Sequence, residues 1–167
     1  MRKFLNNDDL NASSDIFRIL EAYHEFALSS IPNTDLLKAR LLFDGGFYHQ
    51  AKSLLLKKET REGLQNVYQQ IEYSYRLARI YHQSNETDKA VRLYQLTLEK
   101  GMNHPTYYAV NSALQLGTIY EKHGNTEKAG SYYLKVIEIP EKSYGYRFRH
   151  SAREGISRLE EIAAVQN

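Results

Sequence analysis

From residue 31 to residue 140, small and bulky apolar positions recur in one fixed order with polar residues between them. A small residue (Ala39, Ala78, Gly117) is followed three positions later by a bulky one (Leu42, Tyr81, Tyr120). Then comes Gly46, Asn85 or Gly124, next an alanine (Ala51, Ala90, Ala129), and four residues on a second bulky side chain (Leu55, Tyr94, Tyr133). Each position lies 39 residues from its counterpart. Spacings of three and four place residues on one helical face, and a period between about 20 and 50 residues is that of a solenoid. The pattern predicts three helix–turn–helix units, over 31–69, 70–108 and 109–140. "LARIYHQSNETDKAVRLY" (77–94) and "LGTIYEKHGNTEKAGSYY" (116–133) are close copies, and "LLKARLLFDGGFYHQAKSLL" (36–55) is a more diverged one.

The residue types suit that geometry. Small residues at 78 and 90 allow two helices to approach closely, with Tyr81 and Tyr94 filling the space beside them. Gly46, Asn85 and Gly124 tolerate the positive φ that a tight helix-ending turn requires. Thr87 and Thr126 are expected to cap the second helices, with Asp88 and Glu127 favourable in the first turn. Gly101 is expected to stop one helix, Pro105 to start the next, and Pro140 to close the last unit.

At the N-terminal end, Ile16, Ile19, Leu20, Tyr23, Phe26 and Ala27 fall on one helical face, which predicts a leading helix over 13–30 after a frayed or disordered 1–12. At the C-terminal end, Phe148, Ala152, Gly155, Ile156, Leu159 and Ile162 do the same within 144–164, and 141–167 is expected to be a capping helix.

This order of small, bulky, turn and alanine positions resembles the tetratricopeptide repeat. The resemblance implies an all-α, right-handed superhelix of about three repeats, with a leading helix and a capping helix. Two features depart from the family: the usual Trp of the first helix is absent, and the period is five residues longer than the family's ~34. The extra residues are expected to lengthen the first helix of each pair. With the closing "SAREGISRL", the chain also resembles the C-terminal part of longer bacterial tetratricopeptide proteins of unassigned function, which implies a fragment or a short relative. Those proteins are commonly exported.

Composition narrows the chemistry. The chain has 167 residues, 42% hydrophobic and 25% charged, with a net charge of +2. That balance gives little electrostatic drive towards nucleic acid or a membrane surface. The 14 Tyr, against 6 Phe and no Trp, suit half-buried positions with the ring packed and the hydroxyl wet. Without cysteine there is no disulfide framework, thiol nucleophile or thiolate zinc site. No run reaches the roughly 18 apolar residues of a membrane span. No targeting signal is visible, so the chain is expected to be cytoplasmic as it stands, or extracytoplasmic if cut from an exported protein.

Catalytic and metal patterns are missing. His24, His49, His82, His104, His123 and His150 lack metal-ligand spacing, so no metal or cofactor is expected. "DGG" at 44–46 lacks the Lys-Ser/Thr of a phosphate loop. The expectation is a non-enzyme with no small-molecule substrate. The basic run "YRFRHSAR" (146–153) makes nucleic-acid binding a lesser alternative, diluted by Glu141, Glu154, Glu160 and Glu161.

The remaining surface is the one the resemblance makes a concave groove. Its positions fall on Asn33, Leu36, Arg40 and Phe43, on Glu72, Tyr75, Arg79 and His82, and on Asn111, Leu114, Thr118 and Glu121. Leu36 and Thr118 stand where the family's carboxylate clamp would need other residues. Arg40, Phe43, Glu72, Tyr75, Arg79, His82, Asn111 and Glu121 are the candidate contacts for a partner peptide or helix. In this reading Arg40 and Arg79 set charge preference and Tyr75 supplies contact area. A structural, self-associating role is the alternative.

Overall fold

Three nearly identical turns organise the chain. In the computed structural model, which describes the backbone of residues 33–104, 106–139 and 145–166, Gly46, Asn85 and Gly124 have φ of +82°, +58° and +73°. Each turn repeats the same pair of backbone hydrogen bonds. Gly46 N donates to Phe43 O and Phe47 N to Leu42 O; Asn85 and Glu86 bond to His82 and Tyr81, and Gly124 and Asn125 to Glu121 and Tyr120. This double closure satisfies carbonyls that a helix end otherwise leaves without a partner. A left-handed residue reverses the chain within three residues, so the following helix folds back on the one before.

The helices are α1 (Thr34–Asp44), α2 (Tyr48–Leu55), α3 (Lys58–Glu62), α4 (Val67–Gln83), α5 (Thr87–Gly101), α6 (Tyr107–Lys122), α7 (Thr126–Glu138) and α8 (Gly145–Gln166), with no strand among the described residues. Hairpins α1–α2, α4–α5 and α6–α7 follow one another, α5 packs on α6, and α8 lies against α6 and α7. This is an all-α solenoid of stacked helical hairpins. The expected segments 1–12 and 13–30, His24, Pro105 and Pro140 lie outside the described residues.

Local signals differ from expectation at several points. Thr87 and Thr126 are first helical residues, not caps. Asn125 caps α7 by accepting from Lys128 N, whereas Glu86, at the cap position of α5, makes no capping bond and pairs with lysines instead. Gly101 ends α5, but its role is close approach: a Cβ there would sit 3.0 Å from that of Ala109. The first helices of the second and third hairpins are 17 and 16 residues long, but α1 has 11. In the first repeat the additional residues form α3, where the Thr60 hydroxyl lies 2.9 Å from Asp35 Oδ2 and 3.0 Å from Leu54 O.

Ala39, Ala51, Ala78, Ala90 and Ala129 are all buried, with Leu55, Tyr94 and Tyr133 beside them. The third hairpin shows how tight the fit is. Tyr133 lies between α6 and α8, and a Cβ on either Gly117 or Gly155 would come within 2.5 Å of its ring. Each glycine is the space that the ring occupies. Along α8, Ala152 and Gly155 are buried, Phe148, Ile156 and Leu159 half-buried, and Ile162 exposed.

In an ordinary helix interior, glycine-to-alanine stabilises by about 0.5–1 kcal/mol. At Gly117 and Gly155 the sign reverses, and G117A and G155A each cost about 1–3 kcal/mol through overpacking against Tyr133. Gly130 is the control, since a Cβ there meets only Leu159 Cδ1 at 3.7 Å. G130A is neutral or stabilising. Urea unfolding of the three variants checks the contrast.

Candidate interaction surface

The first helices α1, α4 and α6 carry every candidate contact. On α4, positions 72, 75, 79 and 82 recur three and four apart on one face. Arg79 reaches across to α1, where its guanidinium sits 4.1 Å over the Phe43 ring and 3.9 Å from Asp44. Arg40 Nε lies 3.8 Å from the same carboxylate. The two arginines one period apart therefore share Asp44, a residue that the sequence reading passed over. Phe43 is supported from behind by Tyr48, with ring centroids 5.0 Å apart. A ring face holds a guanidinium without neutralising its charge, and the Arg79 side chain is 32% exposed.

The other candidates are committed to the fold. Tyr75 is 2% exposed, so it supplies no open contact area. Its ring packs against Tyr94, Tyr107 and Tyr108 at 6.4, 5.7 and 5.0 Å, and its hydroxyl accepts from Asn111 Nδ2. Asn111 also accepts from Gln115 Nε2 at 3.3 Å. Glu72 accepts from Arg76, a buried arginine one turn along α4. Glu121 is a staple. Arg158 on α8 donates to both of its oxygens, at 2.7 and 3.0 Å, and the Tyr133 hydroxyl donates to it as well.

His82 is half-buried, with Nδ1 3.5 Å from the Tyr94 hydroxyl and the two rings edge to face at 6.0 Å. Burial, and secondarily the charge of Lys122, push its pKa below the ordinary histidine value. Burial likewise holds the Tyr94 phenol well above its usual range. The Arg158 hydrogen bonds hold Glu121 below the ordinary carboxylate value, with the Tyr133 bond adding to the effect and partial burial opposing it.

Sequence reasoning missed Asp44, Arg76 and Arg158. Arg76 was findable as the i+4 partner of Glu72. The Glu121–Arg158 pair, 37 residues apart, had no local signal. Two members of the basic run have partners elsewhere: Arg149 Nη2 donates to Ile139 O at the end of α7, and His150 faces Glu154 at 3.3 Å. The side chains of Tyr146 and Arg147 lie outside the described residues. Among the described residues no cluster of three or more His, Asp or Glu could hold a metal ion, and no helix is long and apolar enough to cross a membrane.

Small-residue hairpins, left-handed turns and a terminal helix over the last hairpin define a helical repeat scaffold. Two family models described as tetratricopeptide repeat match residues 74–106 and 110–143. Residues 74–143 thus carry repeats similar to the tetratricopeptide family, whose repeats mediate protein–protein interaction. No curated protein and no solved structure matches the chain.

The depressed pKa values of His82 and Glu121 tie stability to pH in the same direction. The unfolded chain binds protons that His82 and Glu121 refuse when folded, so each contribution is lost as pH falls. The His82 contribution is lost below about 6.5 and that of Glu121 below about 4.5, each through its lower folded value. Thermal unfolding midpoints should fall in two stages on acidification. H82Q should remove the first stage and R158A should weaken the second.

Proposed function

We propose that the face formed by α1, α4 and α6 binds an acidic segment of a partner protein, extended or helical, with Arg79 as its anchor. One observation carries this reading. Arg79 lies 4.1 Å over the Phe43 ring with its side chain 32% exposed, and its carboxylate neighbour, Asp44, is 3.9 Å away and 51% exposed. Arg79 meets that carboxylate only at 3.9 Å, so its guanidinium keeps capacity for a further anion on a preorganised aromatic platform. An incoming carboxylate would meet donors whose conformational entropy is already spent. The family supports the reading as a class, since its repeats mediate protein–protein interaction.

Affinity capture from lysate and envelope fractions tests it, comparing wild type with an R40Q/R79Q variant that retains its helical circular dichroism. A partner held by the wild type should bind the variant at least about tenfold more weakly, the loss of one arginine hot spot. Equal capture would remove the groove reading.

Self-association is the second reading, favoured by a break in the register. Leu77, Ile80, Leu116 and Ile119 are buried, and the Tyr73 hydroxyl donates to Leu55 O at 3.0 Å, so this side of α4 meets the preceding hairpin. In α1 the equivalent positions are Lys38, which is exposed, and Leu41, which is 62% exposed. Leu37 and Phe47 are exposed nearby. A second copy covering these residues would make the mass in solution rise with concentration, and L41E would abolish the rise. A constant monomer mass would exclude this reading.

A further inference from the structure

The turn edge of the repeats carries a second periodic feature, a lysine over a tyrosine. Lys89 Nζ lies 5.2 Å over the Tyr81 ring, and 39 residues on, Lys128 Nζ lies 5.2 Å over the Tyr120 ring. The two copies differ in charge balance. In the second repeat Glu86 takes Lys89 at 2.6 Å and Lys52 as well, and Lys52 also covers Tyr81. In the third repeat Asn125 stands where Glu86 does and is used to cap α7. Position 91, one period after Lys52, is a valine. The third repeat therefore keeps the lysine and the ring but has lost the carboxylate.

What replaces it extends the same arrangement. Tyr120 stacks on Tyr132, centroids 5.6 Å apart and planes within 2°, and Lys135 Nζ lies 5.2 Å over the Tyr132 ring. Gln95 Nε2 fixes the Tyr132 hydroxyl at 3.0 Å. Both rings are half-buried and both lysines exposed. Neither ammonium makes an ion pair among the described residues, and the acidic residues closest to them along α7, Glu127 and Glu138, pair with neither. The rings hold two ammonium groups in place without neutralising them.

We propose that Lys128, Tyr120, Tyr132 and Lys135 form a docking surface for an acidic segment of a partner protein, independent of the α1–α4 platform. Carboxylates of that segment would occupy the charge role that Glu86 fills in the second repeat, and its side chains would lie along the tyrosine pair. The occupant is an acidic peptide because each lysine already rests on a ring and lacks only an anion.

The probe is a fluorescein-labelled octaglutamate peptide, titrated by anisotropy into the full chain at about 0.15 M salt, where weak long-range attraction is screened. K128Q/K135Q should weaken binding at least about fivefold, the loss of two surface ion pairs. K57Q/K89Q removes the same charge from other exposed lysines and should leave affinity within about twofold. Equal losses in the two variants, or no binding by the wild type, would overturn the proposal. If only R79Q weakens binding, the peptide sits on the groove platform, and this surface fails while that reading stands. A thymidine oligonucleotide that binds as tightly through the same two lysines would also overturn the assignment to an acidic peptide.

Discussion

The distance between the two helices of each hairpin sets everything else in this structure. That distance is short because the facing residues are alanine or glycine, and it is filled by one large ring or leucine beside them. Close packing of this kind tolerates little change in volume. It also dictates the turn, because helices that nearly touch can be joined only by a sharp reversal, and a left-handed residue with its paired backbone hydrogen bonds provides one. Tyr133 shows the constraint in its strictest form, with glycine on both sides of one ring. There the same contact that closes the third hairpin also seats α8.

Charge in this chain divides into groups the fold consumes and groups it leaves outward. Glu121 with Arg158 joins α6 to α8, Glu72 with Arg76 pairs within α4, and Arg149 completes the end of α7. Tyrosine supplies the matching partner. Its hydroxyl accepts from Asn111 at Tyr75 and donates to Glu121 at Tyr133, so the abundant phenols act as core residues with one polar end satisfied. Arg79, Lys128 and Lys135 differ, because each rests on an aromatic face that positions it while leaving its charge open to a partner. Aromatic support alone does not mark such cations, since Lys52 and Lys89 also lie over Tyr81 yet pair with Glu86; a ring without a carboxylate in close contact does.

How far the fold was legible follows from the range of its interactions. The 39-residue period, the turn residues and the small positions are local, and they repeat because each hairpin solves the same packing problem against its neighbour. Glycine or asparagine at 46, 85 and 124 could be read directly, since few residues accept that backbone conformation. Helix starts were less legible. Threonine precedes the second-helix pattern in two repeats, yet the cap falls one residue earlier, where Asn125 bonds to the backbone and Glu86 is drawn away by Lys52 and Lys89. The α3 helix lies within the 39-residue period of the first repeat, has no separate counterpart helix at the same offset in the second, and left no recurring signal.

The sequence by itself determined the helical hairpins, their order and their stacking, because periodic small and bulky residues have one economical packing. It also placed the candidate contacts on the first helices, through three- and four-residue spacing. Only the tertiary structure decided which of those contacts remain open. Tyr75, Asn111 and Glu121 share the periodicity of Arg79, but whether such a side chain is spent internally depends on partners one helix or one repeat away. Arg158 is 37 residues from Glu121, and the Tyr107–Tyr108 rings approach Tyr75 from another hairpin. A residue's face is a local property of its helix, whereas its free valence is a property of everything packed around it.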